Sequence, residues 1–318
     1  AREWLDRDKV DAMADLTNSA GALAVQKLIK EKGGIAMYSG PATTRLTEDD
    51  CAENGFHWMF DTYSSAAGAA VALTKAGDKS WFFVTVDYAF GHSLEKDASD
   101  MVKANGGTVL GSVRHPLNAS DFSSFILQAQ NSKAQVIGLA NGAQDTVNAI
   151  KAAREFGIGS GKGQKVASLL MFLTDVHSLG LKQAQGLMFS EGFYWDMDDK
   201  TRAFSTRFEK LHKGFKPTMV QAGVYSSVLH YLRSVAAAKT DDWKVVAQKM
   251  RELPIDDPVM RNASIRPDGR VIHDMYLFQV KTPAESKGAW DYYKTVSTIP
   301  AKAAFKPLAQ SACPLVKK

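Results

Sequence analysis

The stretch SWFFVTVDYAFG, residues 80–91, decides the fold. Its first seven residues are aromatic or β-branched in the main and of strand length, far short of a membrane span. Residues 87–91 form a loop that cannot continue the strand, and 92–105 carry an amphipathic helical pattern ended by Gly106 and Gly107. Strand, loop and helix in that order are the repeating unit of a parallel α/β sheet.

The same unit recurs on both sides. Upstream, a strand over 10–16 leads through Thr17, Asn18 and Ser19 to a helix over 20–32, stopped by Gly33 and Gly34. A strand over 35–39 follows, then a turn over 40–44. A helix over 64–76 precedes the quoted strand. Downstream come a strand over 108–114, a helix over 120–131 with Ser120 as its N-cap, a strand over 134–140, a helix over 143–156 and a strand over 166–172. The series reads as doubly wound. Beyond Gly192 the rhythm breaks: Phe193, Tyr194 and Trp195 precede Asp196, Asp198 and Asp199, and helices over 201–213, 219–238 and 242–252 follow one another. The acidic run suits a helix N-terminus and lacks the glycine and glutamate of a calcium loop. A turn at Pro267, Asp268 and Gly269, a strand over 271–280 and a proline-punctuated tail complete the chain.

The length, 318 residues, predicts two domains at roughly 100–200 residues each. With 39 Lys and Arg against 34 Asp and Glu, the net charge is +5 and scattered, which argues against nucleic-acid binding; the dense basic spots are 210–216 and Lys317 with Lys318. The glycine run 157–163 fails the P-loop spacing, since Lys162 is followed by Gly163, and reads as a helix stop. None of the seven histidines stands at metal-ligand spacing, and no Gly-x-Ser-x-Gly elbow occurs, so neither a metal centre, a cofactor nor a catalytic nucleophile is expected. Asp175 and His177 stand two apart after a strand, on one face if the segment is extended, a weak acid–base candidate. Cys51 and Cys313 are the only cysteines: two unrelated thiols in a reducing compartment, one bridge in an exported protein. Residues 1–10 show none of the layout of a secretion signal.

In open α/β sheets ligands bind beyond the carboxyl ends of the strands. There, Asn18 and Ser19 put polar groups at a helix N-terminus suited to a carboxylate, with simple N-capping as the competing reading. Thr43 adds a hydroxyl, Tyr88 and Phe90 aromatic faces, and Asp175 a carboxylate.

DAMADLTNSA at 11–20, YSGPAT at 38–43 with Leu46 and Thr47, DYAFG at 87–91 and DFS at 121–123 together resemble the type I periplasmic binding proteins of branched-chain amino acid ABC importers. The resemblance covers essentially the whole chain. It implies two doubly wound parallel-sheet lobes joined by a crossing-strand hinge, holding a small-molecule carboxylate between them for a membrane permease, in the periplasm, as a monomer and without catalysis. The implied ligand residues are Asn18, Ser19, Pro41, Thr43, Tyr88, Phe90, Asn141, Thr174 and Asp175. If Asp175 faces the solute an α-ammonium is accommodated; if Thr174 does, a neutral or phenolic ligand is. The run 174–177 and the later Phe193–Asp196 stretch are similar to the subgroup that binds aromatic acids such as benzoates or phenylpropanoids. The resemblance also implies a strand, a helix and a strand ahead of residue 1, a signal peptide already removed, and lobes at 1–60 plus 195–270 and at 61–194 plus 271–318. A Cys51–Cys313 disulfide follows from it in an oxidising periplasm.

Overall fold

A computed structural model describes every residue except Ser160, Lys162 and Lys318. The sequence readings at Lys162 and Lys318 lie outside the described residues. Unit 1 comprises Ala1–Asp61, Gly192–Asp274 and Pro300–Lys318; unit 2 comprises Thr62–Glu191 and Met275–Ile299.

In chain order, unit 1 opens with α1 (Arg2–Asp6), β1 (Ala12–Ala14), α2 (Ser19–Lys32), β2 (Ile35–Tyr38) and β3 (Gly55–His57). Unit 2 contributes α3 (Thr62–Lys75), β4 (Ser80–Val86), α4 (Ala89–Ala104), β5 (Thr108–His115), α5 (Ser123–Asn131) and β6 (Val136–Ala140). It continues with α6 (Ala143–Glu155), β7 (Lys165–Ser168), α7 (Leu173–Leu179), α8 (Leu181–Ala184) and β8 (Met188–Glu191). Unit 1 resumes with α9 (Asp199–Leu211), α10 (Met219–Ala238), α11 (Trp243–Glu252), β9 (Ser264–Ile265) and β10 (Val271–Ile272). Then come β11 (Met275–Val280) and β12 (Tyr293–Ile299) in unit 2, and α12 (Ala301–Ala304) in unit 1.

Unit 1 holds a parallel sheet in the order β1-β2-β3 and an antiparallel β9–β10 pair; unit 2 holds a parallel sheet β5-β4-β6-β7 and an antiparallel set β12-β11-β8. The α/β architecture with parallel sheets is therefore present. Central strands covered on both faces require continuous apolar runs, and Trp81, Phe83, Val84, Val136, Ile137 and Leu139 are all fully buried. Gly138 makes room for this packing, since a Cβ there would lie 2.6 Å from the Phe83 ring.

Several boundaries differ from the sequence reading for local reasons. Strand β1 stops at Ala14 because Asp15 and Leu16 take left-handed backbone, φ 74° and 51°. Helix α4 starts at Ala89, so Phe90 lies in its first turn. Ser120 is not a cap: α5 begins at Ser123, whose amide donates to the Asp121 carboxylate at 2.8 Å. The strand expected over 271–280 is two strands broken at His273 and Asp274. Asp198, from the acidic run, does cap α9, accepting from the Thr201 amide at 2.9 Å.

The placing of 271–318 wholly in the second lobe needs correction, because residues 271–274 and the tail from Pro300 belong to unit 1. Cross-links hold the tail there. Cys313 is bridged to Cys51 with Cα atoms 5.7 Å apart, Lys306 pairs with Glu48 at 2.6 Å, and the Ala312 amide donates to the same carboxylate at 2.9 Å. A bridge spanning 262 residues of sequence removes much freedom from the unfolded chain. Replacing both cysteines by alanine is expected to lower stability by about 2–4 kcal/mol; urea unfolding with unchanged midpoint would contradict this.

Candidate functional site

In unit 1 the nominated residues gather at the amino end of α2. Asn18 is the N-cap, its Oδ1 accepting from the Gly21 amide at 2.9 Å, so its side chain is already engaged by the helix. Ser19 begins the helix and is buried. Its Oγ accepts from the amides of Ala42 and Thr43, both at 3.3 Å, in the loop that follows β2. His57, at the end of β3, shapes that loop. A carbonyl only accepts, so Nε2 of His57 carries the hydrogen it donates to the Pro41 oxygen at 2.8 Å. Burial, aided by the Arg270 charge, holds the His57 pKa well below the usual value and the ring neutral. Gly40 permits the loops to interlock, because a Cβ there would lie 2.7 Å from Asp15 Oδ1. The outcome is two loop amides and a hydroxyl converging at a helix N-terminus, an arrangement suited to an anion.

In unit 2, Tyr88 and Phe90 stand where β4 passes into α4, ring centroids 5.9 Å apart. Asn141 follows β6 and is fully buried in a network. Its Nδ2 donates to His115 Nε2 at 3.1 Å, His115 Nδ1 donates to the Pro116 oxygen at 2.9 Å, and Thr146 Oγ1 donates to Asn141 Oδ1 at 2.8 Å. Both ends of the amide thus hold the fold. Burial lowers the His115 pKa, consistent with the neutral ring this network requires.

Thr174 and Asp175 lie in α7, not on an extended segment. Two positions on a helix are about 200° apart, so Asp175 and His177 point to different sides. Asp175 is buried and its Oδ2 accepts from the Phe172 amide at 2.9 Å, capping its own helix. His177 hydrogen-bonds the Tyr292 hydroxyl at 2.8 Å and stacks on Trp290 at 4.0 Å. The shared face that an extended segment would give them is therefore absent.

Sequence reasoning passed over two acids of unit 2. Glu191 ends β8, is 1% exposed, and accepts from the Tyr293 hydroxyl at 3.2 Å; burial drives its pKa well up. Asp145 sits in the first turn of α6, also buried, with its pKa raised chiefly by burial. The available signal was position: Glu191 stands immediately before Gly192, where the βα rhythm breaks, and Asp145 follows a strand end.

An apolar hollow of about 730 Å³ in unit 1, between α9 and α10, is edged by Asp15 and Thr17 and lined by Phe204, Phe208 and Val224; none of the nominated residues lines it. Among the described residues, no three His, Cys, Asp or Glu side chains gather as a metal site would require.

A family model described as periplasmic binding protein matches residues 1–289. No curated protein sequence matches. Among solved structures, a periplasmic binding protein from Burkholderia mallei is 48% identical with a TM-score of 0.96, the alignment covering 99% of this chain and 83% of that one. A branched-chain amino acid ABC transporter periplasmic ligand-binding protein from Burkholderia xenovorans is 40% identical, TM-score 0.88, covering 99% and 84%. A solute-binding protein of an ABC transporter from Rhodopseudomonas palustris, solved with 3,4-dihydroxy benzoic acid, is 19% identical, TM-score 0.83, covering 94% and 81%, a likeness of fold alone.

Burial pushes Asp175 up to about 6 against an ordinary 3.8. The folded chain then holds this proton more tightly than the unfolded one, so stability falls as pH rises from about 4 through 6. Asp175→Asn removes the dependence. Relative to the parent, the variant is expected to gain up to about 3 kcal/mol between pH 4 and pH 7, at about 1.4 kcal/mol per pKa unit; a pH-independent difference in urea unfolding would contradict the assignment.

Proposed function

Because the chain belongs to the periplasmic binding protein family, we propose that it is the solute-capturing component of an ABC importer, taking a small carboxylate in the periplasm, passing it to a membrane permease and catalysing no reaction. The observation that carries this reading is the convergence of the Ala42 and Thr43 amides on Ser19 Oγ at the amino end of α2. At 3.3 Å these contacts are long, and a carboxylate oxygen would take them over with shorter, charge-assisted ones. Asn18 and Pro41 shape this donor cluster in unit 1. Tyr88, Phe90, Asn141 and Thr174, with Asp175, are the corresponding set in unit 2. The Cys51–Cys313 bridge suits an oxidising compartment.

An aromatic acid of the benzoate or phenylpropanoid kind is the favoured solute. The support is that Asp175 is committed to its own helix while Thr174 beside it is exposed, and two aromatic side chains stand together at the end of β4. Capture of an amino acid is the second reading, favoured by the 40% identity to a branched-chain amino acid transporter component.

Titration calorimetry against benzoates, phenylpropanoids and amino acids tests the reading. Micromolar or tighter binding of a carboxylate is expected, together with loss of about tenfold or more in Ser19→Ala, the worth of one hydrogen bond to a charged group. Absence of binding by all three classes would refute the proposal, as would full affinity in a folded Ser19→Ala variant.

A further inference from the structure

The acid nominated for solute recognition from sequence, Asp175, is occupied by the Phe172 amide. Asp145 also accepts one amide, but its second oxygen is shut off from solvent. It is 3% exposed, and its Oδ2 accepts from the Asn118 amide at 3.1 Å, while its Oδ1 has no hydrogen-bond partner. Among the described residues it is the only acid more than nine-tenths buried with a carboxylate oxygen that is both shut off from solvent and without a hydrogen-bond partner. Leaving such an atom unsatisfied costs about 1–3 kcal/mol or more, a cost that folding alone gives no reason to keep.

The surroundings point to a use for it. Asp145 lies in the first turn of α6, just after Gly142 and Ala143, which launch the helix. Ala143 takes φ 53°, and a Cβ on Gly142 would lie 3.6 Å from the Phe90 ring. Tyr88 is half-buried, and the Asp145 charge raises its pKa further after burial has done so. Asp145, Tyr88 and Phe90 thus occupy one corner of unit 2, beyond the carboxyl ends of the adjacent strands β4 and β6.

We propose that Asp145 is a specificity-determining residue whose free carboxylate oxygen accepts a hydrogen bond from a donor on the captured solute, a phenolic hydroxyl or an ammonium. The inference rests on the carboxylate-capture reading above and adds a second recognition point to it: the solute carries a donor as well as a carboxylate.

Asp145→Asn preserves shape and an acceptor for the Asn118 amide. Calorimetry compares it with the parent chain on two ligand pairs, 4-hydroxybenzoate with benzoate and L-phenylalanine with 3-phenylpropanoate. The expected result is a loss of about tenfold or more for the donor-bearing member of one pair, with its donor-free partner changed by less than about threefold. Loss in the first pair identifies a phenol and in the second an ammonium. Equal loss within both pairs, or none, overturns the proposal while leaving carboxylate capture intact. A parent chain that binds none of the four overturns both. Should Asp145→Asn not fold, Asp145→Ser, which keeps a short acceptor for the Asn118 amide, is read in the same way.

Discussion

Unit 1 is assembled from three separated pieces of chain, and all of them are pinned to residues 48–61. Arg270, 1% exposed, donates to the Phe60 carbonyl at 3.0 Å and to that of Trp58, with Asp61 at 3.5 Å and the Phe305 ring under its guanidinium. His273 reaches the Met59 oxygen, and the His57 amide donates to the Gly269 oxygen at 2.9 Å. From the middle piece, Ser226 Oγ accepts from Trp58 Nε1 at 2.9 Å and donates to the buried Asp257 at 2.6 Å, while Arg251 lies over the Phe56 ring. The tail is tied to Glu48 and Cys51. Buried charges are tolerated only when hydrogen bonds and opposite charge offset the lost water; for Arg270 the Phe60 and Trp58 carbonyls accept from two guanidinium nitrogens and the Asp61 carboxylate stands beside the third. Residues 48–61 thus carry contacts from every piece of the unit.

From this segment the donor cluster is reached by a short path of contacts. Strand β3 pairs in register with β2, placing His57 opposite Tyr38, and the His57 ring then fixes the Pro41 carbonyl. With that carbonyl held, the next two amides turn toward Ser19. A group set by backbone register and a neutral buried ring keeps its geometry without relying on exposed ion pairs, which contribute little in water.

The parallel βα series was legible because its signals are local: β4 runs Ser80–Val86 as its apolar pattern indicates, and α10 runs Met219–Ala238. The donor cluster was legible in part, since polar residues after a strand at the start of a helix have few roles. What escaped depends on partners distant in sequence. Strands β3, β8 and β12 are short or polar on one side, with β12 showing only Tyr293 buried, and they exist because a neighbour completes their ladder. The tail was misplaced for the same reason, as nothing in 300–318 announces that Glu48 and Cys51 will hold it. Asp175 and His177 were misjudged through period: α7 is seven residues long, too short for its helical pattern to stand out against an extended run.

The two units differ in how they handle charge. Around Ser19 the converging polar groups are neutral, whereas unit 2 buries Asp145, Asp175 and Glu191, and none of these three forms an ion pair among the described residues. Burial raises the pKa of each, so each gives up stability once ionised. Asp175 recovers part of that through a backbone amide and Glu191 through Tyr293. Asp145 has the Asn118 amide on Oδ2, and its Oδ1 is shielded from solvent without a hydrogen-bond partner. An incompletely satisfied acid weakens the free chain, and the weakness is relieved only by a ligand carrying a donor. A ligand without one leaves the oxygen unpaired in the complex too, so discrimination comes from the penalty on the wrong solute as much as from attraction to the right one.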